Sequence, residues 1–275
     1  MAKKTIDRGI FRLKNRTYIT PHYIRITLEG PDAQKFSQTT IGVNNKIFLA
    51  PEGCDRVHLP EFDFEKGQWV PMDEAIRPSV RTYTHRGINL ETNELYVDFV
   101  AHGDEGPASK WAIQAPIGAE LGVAMGTEAA VLYPKANRYV LVGDATAISV
   151  LGAILEDLPA GVQAQAFIEV ETKEDIQVLP TKASASIEWI INPTPGQSTE
   201  LAEKAVAYIE AQGEMESKFA YVAAEFSTVK IMRNFLRKEQ NWTKDELYAY
   251  SYWKFGKAEN VSEADRRAEK ASLDE

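Results

Sequence analysis

Arginine, tyrosine and threonine side chains stand at close spacing in Arg81-Thr82-Tyr83-Thr84-His85-Arg86. If this segment is a strand, Arg81 and Tyr83 share one face, because strand side chains alternate. Arg81 could then offer a fork of donors to a pyrophosphate. Tyr83 could lay a flat ring against an isoalloxazine or its ribityl chain. Thr82 and Thr84 point to the other face, with the backbone and hydroxyl of Thr84 placed to meet a ring nitrogen. Such a strand suits the holding of a flavin. A half-buried strand without a ligand accounts for the same hexapeptide equally well, since Thr and Tyr are good strand formers.

A second segment runs from Asp98-Phe99-Val100-Ala101-His102-Gly103 through Asp104-Glu105-Gly106-Pro107 to Ala108-Ser109-Lys110-Trp111-Ala112. It starts as an alternating strand from Leu95, turns through glycines, and enters a helix at Pro107, where a missing N–H does no harm. Strand, glycine turn and helix N-terminus together make an anion site, because free N–H groups and the positive end of the dipole face outward. Gly103 and Gly106 would let backbone approach phosphates closely. An ordinary strand-to-helix turn capped by small residues is the competing account.

These motifs need elements to hold them. The chain has 275 residues, enough for two domains with separate cores. Tyr18 to Leu28 alternates and stops at Gly30-Pro31-Asp32, and Lys46 to Ala50, Leu95 to Val100 and Glu120 to Ala124 are further strand candidates. Short strands split by Gly, Pro and Asn suggest a barrel or sandwich. Glu52 to Arg77, rich in Pro, Gly and charge, reads as a surface excursion. Near residue 134 the pattern changes. Tyr139 to Gly143 is a continuous apolar run ending in glycine, as buried parallel strands do. A helix over Ala147–Leu158, strands at Gln165–Val170 and Ile187–Ile191, a helix over Leu201–Ala211, a strand at Phe219–Ala224 and a helix over Val229–Gln240 follow. Alternating strands and helices predict a doubly wound α/β domain, with the boundary at 130/131. The charged tail after Asn260 reads as a solvated helix or frayed end.

Composition narrows the function. The formal net charge of −9 argues against nucleic acid as a partner. No apolar run is long enough to span a membrane, and the start has no secretory signal. Cys54, the single cysteine, excludes an internal disulfide or a Cys-ligated metal centre and fits a reducing, cytoplasmic setting. His22, His58, His85 and His102 have no metal-ligand spacing, so no protein-bound metal is expected. Without a heptad or an apolar stripe, a monomer is the default.

The Arg81 and Asp98 segments together resemble the siderophore-interacting proteins, FAD-containing ferric-siderophore reductases related to the ferredoxin–NADP reductases. Order and spacing also match at Lys46, Pro116–Leu121, Gly143-Asp144-Ala145-Thr146-Ala147, Ala223-Ala224-Glu225 and Ser251–Gly256. The resemblance implies an N-terminal six-stranded antiparallel β-barrel FAD domain (1–130) followed by a doubly wound α/β NAD(P)H-binding-like domain (131–275). It implies FAD contacts at Arg81, Thr82, Tyr83, Thr84, Asp98, Val100, His102, Gly106, Pro107, Ala108, Ser109, Asp144, Thr146 and Ala147. For Asp144 and Thr146, helix capping is an equal alternative. Glu225 closes its strand at the same sheet edge, where it could meet the electron donor or the flavin edge, or stay solvated. The family has Glu at the position of Ala145 and Pro at that of Ser149, and this chain departs at both.

A flavin would carry the redox work, so the chain supplies no catalytic base or nucleophile. Iron would arrive chelated as a ferric siderophore and leave as ferrous iron, which hard oxygen donors hold less tightly. Lys46 and Lys254, with Arg86 beside them or serving FAD, are the candidates for holding an anionic chelate. Solvated surface charge explains the lysines as well. NADH, NADPH or a reduced ferredoxin could be the donor. A flavin- or siderophore-binding protein without turnover, or a general flavin reductase, are the alternatives.

Overall fold

Alternating apolar and polar residues build the first half of the chain as strands. The computed structural model describes residues 5–63, 66–103 and 106–257, and the chain divides into two units, Met1–Ala130 and Val131–Glu275. In the first unit, β1 (Ile6–Thr20) and β2 (Tyr23–Glu29) pair antiparallel across Pro21-His22. The stretch expected as one strand over Tyr18 to Leu28 is therefore a hairpin. Proline fixes φ and cannot donate to a ladder, so the chain turns there. β1 pairs with two neighbours in turn, and a register shift between Leu13 and Asn15 lies near the handover at Arg12.

The remaining elements of this unit are β3 (Asn44–Leu49), β4 (Phe62–Asp63), β5 (Gln68–Trp69), β6 (Ser79–Thr84), β7 (Gly87–Asn89), β8 (Glu94–Val100), α1 (Pro107–Gln114) and β9 (Glu120–Gly126). The antiparallel sheet runs β6-β3-β9-β1-β2-β8-β7. Six strands match the expected number, and three-residue β7 adds a short seventh. The sheet curls until β6 and β8 meet: the Tyr83 and Phe99 rings lie 4.4 Å apart, and Arg86 N–H donates to Tyr96 O at 3.0 Å. Phe11, Ile26, Ile47, Phe99 and Leu121, all fully buried, fill the interior. The Glu52–Arg77 excursion holds only the β4–β5 hairpin and a 3₁₀ turn at Glu74–Ile76 among its described residues.

The second unit contains β10 (Arg138–Asp144), α2 (Ile148–Asp157), β11 (Gln163–Val170), β12 (Ser184–Ile191), α3 (Glu200–Gln212), β13 (Lys218–Glu225), α4 (Phe226–Asn234) and β14 (Leu247–Trp253). Its sheet is parallel in the order β12-β11-β10-β13-β14. The order reverses between β10 and β13, which makes their carboxyl ends the switch point of a doubly wound sheet. α4 ends earlier than the Val229–Gln240 expectation and passes into a π turn at Phe235–Glu239. β14 was not expected. The tail after Asn260 lies outside the described residues. No helix among the described residues is long and apolar enough to cross a membrane.

Candidate functional site

In the first unit, β6 presents its two faces differently. Arg81 and Tyr83 are half-buried, whereas Thr82 is exposed and receives a hydrogen bond from Lys46 Nζ at 2.6 Å. Lys46 and Thr82 pair directly across β3 and β6, so they occupy the outer face, opposite Arg81 and Tyr83. The Tyr83 ring begins a row: Phe99 lies at 4.4 Å and Trp111 of α1 stands 6.1 Å beyond it. That row ties β6 to the helix. At the head of α1, Gly106 offers no side-chain cap and Pro107 has no N–H. The N–H groups of Ala108 and Ser109 are thus left for an acceptor, as in anion sites at helix starts. Gly103 has φ +82, and the space a side chain there would fill is open. Arg16 NH2 donates to Ala115 O at 2.6 Å and holds the other end of α1. A cation at a helix C-terminus is favourable.

The structure commits several predicted side chains to the protein itself. Asp98 is bracketed by Arg25, with Nε to Oδ1 at 2.7 Å and NH2 to Oδ2 at 2.9 Å. Tyr23 OH donates to it at 3.3 Å and Arg86 Nε stands 3.6 Å away. Its carboxylate holds arginines. Ser109 Oγ accepts from His102 N at 3.1 Å and donates to Gly103 O at 2.8 Å, so it locks the turn. Ala108 is buried in the core. The side-chain polar atoms of Asn45 and His85 are buried without a hydrogen-bond partner among the described residues, and burial lowers the His85 imidazole to about 4.

In the second unit, Asp144 is the hub of the sheet's carboxyl edge. It accepts from Thr146 N at 2.9 Å and Thr146 Oγ1 at 2.5 Å, from Glu225 N at 2.8 Å and from Trp253 Nε1 at 2.7 Å. Burial raises its pKa, and these hydrogen bonds oppose the rise. Glu225 caps α4 through Ser227 N at 2.5 Å and accepts from Phe255 N at 3.1 Å. Glu169, the register partner of Asp144 on β11, is pushed up to about 7, first by burial and further by the charges of Asp144, Glu200 and Glu225, against a hydrogen bond from Asn192. Lys254 Nζ sits 4.3 Å over the Phe226 ring.

Residues 12–129 match the siderophore-interacting FAD-binding domain, and 136–256 match the siderophore-interacting protein family. A ferric vibriobactin reductase, ViuB of Vibrio cholerae serotype O1, is 30% identical over 251 residues, 91% of each chain. This chain belongs to the siderophore-interacting protein family. Among solved structures, the siderophore-interacting protein SipS of Aeromonas hydrophila superposes with a TM-score of 0.81 at 27% identity, covering 96% of this chain and 98% of its own. A ferredoxin NADP⁺ reductase from Neisseria gonorrhoeae with bound FAD and NADP shares the two-part fold, with a TM-score of 0.57 at 13% identity, covering 89% of this chain and 98% of its own.

Within this siderophore-interacting protein, the aromatic row joins Tyr83 of β6 to Phe99 of β8 and Trp111 of α1, with Arg81 on the same strand as Tyr83 and His102 beside Gly106 at the helix start. Asp144, Thr146, Ala147, Glu225 and Lys254 gather separately at the sheet edge of the second unit. At the two departures from the family pattern, Ala145 lies in the 3₁₀ turn after β10, and Ser149 is buried in α2 with its hydroxyl unpartnered. Arg25 and Glu169 were missed by sequence reasoning. Arg25 lies in an alternating strand like many others, and its partner is 73 positions away. Glu169 could have been suspected as a carboxylate in an otherwise apolar strand.

Proposed function

We propose that this chain binds FAD in its first unit and reduces the iron of an anionic ferric siderophore. One observation carries the reading: the Tyr83–Phe99–Trp111 row joins the arginine-bearing strand to an uncapped helix start, inside the unit that matches an FAD-binding domain. The residues fit the cofactor. Tyr83 offers a flat face, Arg81 a guanidinium, and Ala108 and Ser109 their backbone N–H groups. The chemistry FAD supplies when bound is the conversion of a two-electron donor's reducing power into single electrons for ferric iron. Asp98 keeps Arg25 and Arg86 in place, and Ser109 ties the backbone of His102 and Gly103 to the start of α1. Thr84, Val100, His102, Gly106 and Pro107 complete the proposed cofactor surface, whereas Thr82, expected there, is turned to the outer face with Lys46. Lys46 and Lys254 supply positive charge for the chelate, each held by a partner, Thr82 for one and the Phe226 ring for the other.

The relatives named as ferric vibriobactin and ferric acinetobactin reductases support an enzyme rather than a passive binder. NADH, NADPH or a reduced ferredoxin supplies the electrons in this reading, and the protein works as a monomer in the cytoplasm. Purified protein loaded with FAD should be yellow, bleach with one of these donors, and regain colour when a ferric chelate is added while a ferrous trap develops. Protein that takes up no FAD, or whose reduced form ignores ferric chelates, would overturn the proposal.

A further inference from the structure

Lys254 stands between two anchored neighbours. On one side, the Trp253 indole N–H donates to Asp144 Oδ2 at 2.7 Å. The far edge of the same indole meets Gly196, where an added Cβ would come within 2.8 Å of Trp253 Cη2. On the other side, the Phe255 N–H donates to Glu225 Oε1 at 3.1 Å. Asp144 also accepts from the Glu225 N–H at 2.8 Å, so the two carboxylates form one frame. Glu225 further caps α4, whose first residue, Phe226, carries the Lys254 ammonium over its ring. The frame thus fixes the residue before Lys254, the residue after it, and the ring beneath it. β14 ends at Trp253, so Lys254 itself lies just past the sheet and has no ladder of its own beyond the bridge to Lys257.

We propose that Asp144 and Glu225 are positioning residues for the ammonium of Lys254, acting through Trp253 and Phe255, rather than contacts to the flavin or the electron donor. This rests on the reading that Lys254 receives the anionic ferric chelate. A lysine carries much rotamer freedom, and a frame that limits where its stem begins concentrates its charge at one place. The carboxylates act by geometry. Both are buried, and they hold backbone and indole groups on either side of the lysine.

The test uses FAD-loaded protein reduced by light and EDTA, so that no natural donor enters. Reoxidation is followed by stopped flow against iron(III) tris(2,3-dihydroxybenzoate), an anionic chelate. Trp253→Phe keeps the ring but deletes the indole N–H. It should raise the half-saturating chelate concentration about five- to tenfold, within the coupling range of residues in one network. The limiting rate and flavin content should stay close to those of the parent. Lys254→Ala should raise half-saturation at least as much, and the double variant should be no worse than Lys254→Ala alone. Asp144→Asn should reproduce Trp253→Phe if it folds. Should it not, Gly196→Ala, whose added Cβ would crowd both the Trp253 indole at 2.8 Å and the Phe255 Cβ at 3.1 Å, displaces both neighbours of Lys254 and gives a second route to the same shift. If Trp253→Phe acts by the same factor with and without Lys254, or lowers flavin content or limiting rate instead, the positioning role fails while the chelate reading of Lys254 stands. If Lys254→Ala leaves half-saturation unchanged, the chelate reading fails and takes the positioning role with it.

Discussion

Asp98 lies in the motif that points to a dinucleotide, yet its carboxylate is spent on Arg25, Tyr23 and Arg86. Its side chain is 1% exposed, so whatever it holds is held without water's help. Asp98→Asn would leave the Arg25 guanidinium, whose side chain is one-third exposed, beside a neutral partner. Loss of this charge-assisted hydrogen bonding is expected to lower the stability of the first unit by about 1–2 kcal/mol. Thermal unfolding of the FAD-free protein checks this. A variant that melts like the parent but loses flavin would show that Asp98 serves the cofactor directly. The types and spacing of Arg81, Tyr83, Gly103 and Pro107 were legible in the sequence because a strand and a helix start impose local rules. The partner of Asp98 was not, since the choice of neighbouring strand belongs to the sheet and not to the segment. The commitment of Ser109 to its own turn was equally hidden, because a serine near a helix start reads the same whether it faces a ligand or the chain.

Among the elements, the apolar run Tyr139–Gly143 announced a buried parallel strand and β10 is one. β14 escaped notice although Leu247-Tyr-Ala-Tyr-Ser-Tyr-Trp is rich in strand-forming aromatics. Without a place for this strand in the expected sheet, the anchor of Trp253 stayed hidden as well. The hairpin at Pro21 was concealed because alternation continues on both sides of the turn. Strand ends also decide titration. Register places Glu169 beside Asp144 at the sheet's carboxyl edge, and its pKa rises from an ordinary 4.5 to about 7, chiefly through burial. Between those values the native carboxyl keeps a proton that the unfolded chain has lost. Stability therefore falls as pH rises through this window, and the penalty is complete above about 7. Glu169→Gln cannot lose a proton. It should match the parent near pH 5 and exceed it at pH 8.5 by about 1–2 kcal/mol, after allowance for solvent screening. Thermal melts at the two pH values check this, and an equal difference at both would mean that Glu169 does not titrate in that window.

At the scale of the whole molecule, a chain with a formal net charge of −9 is proposed to attract an anionic chelate. The two effects have different ranges. Repulsion by the summed surface charge acts over the full field, whereas attraction by Lys46 and Lys254 acts at contact. Salt separates them, because the screening length is about 30 Å at 0.01 M, about 10 Å at 0.1 M and about 3 Å at 1 M. Between the first two concentrations the distant carboxylates are screened while a contact ion pair is largely spared. The half-saturating concentration of an anionic ferric chelate should therefore fall on going from 0.01 to 0.1 M salt, and rise again toward 1 M as the contact itself weakens. A neutral ferric chelate should show neither limb. Half-saturation that climbs steadily from the lowest salt would mean that the local lysines already dominate the field at long range. A flat profile would mean that the chelate is recognised without its charge, and Lys46 and Lys254 would lose their proposed role.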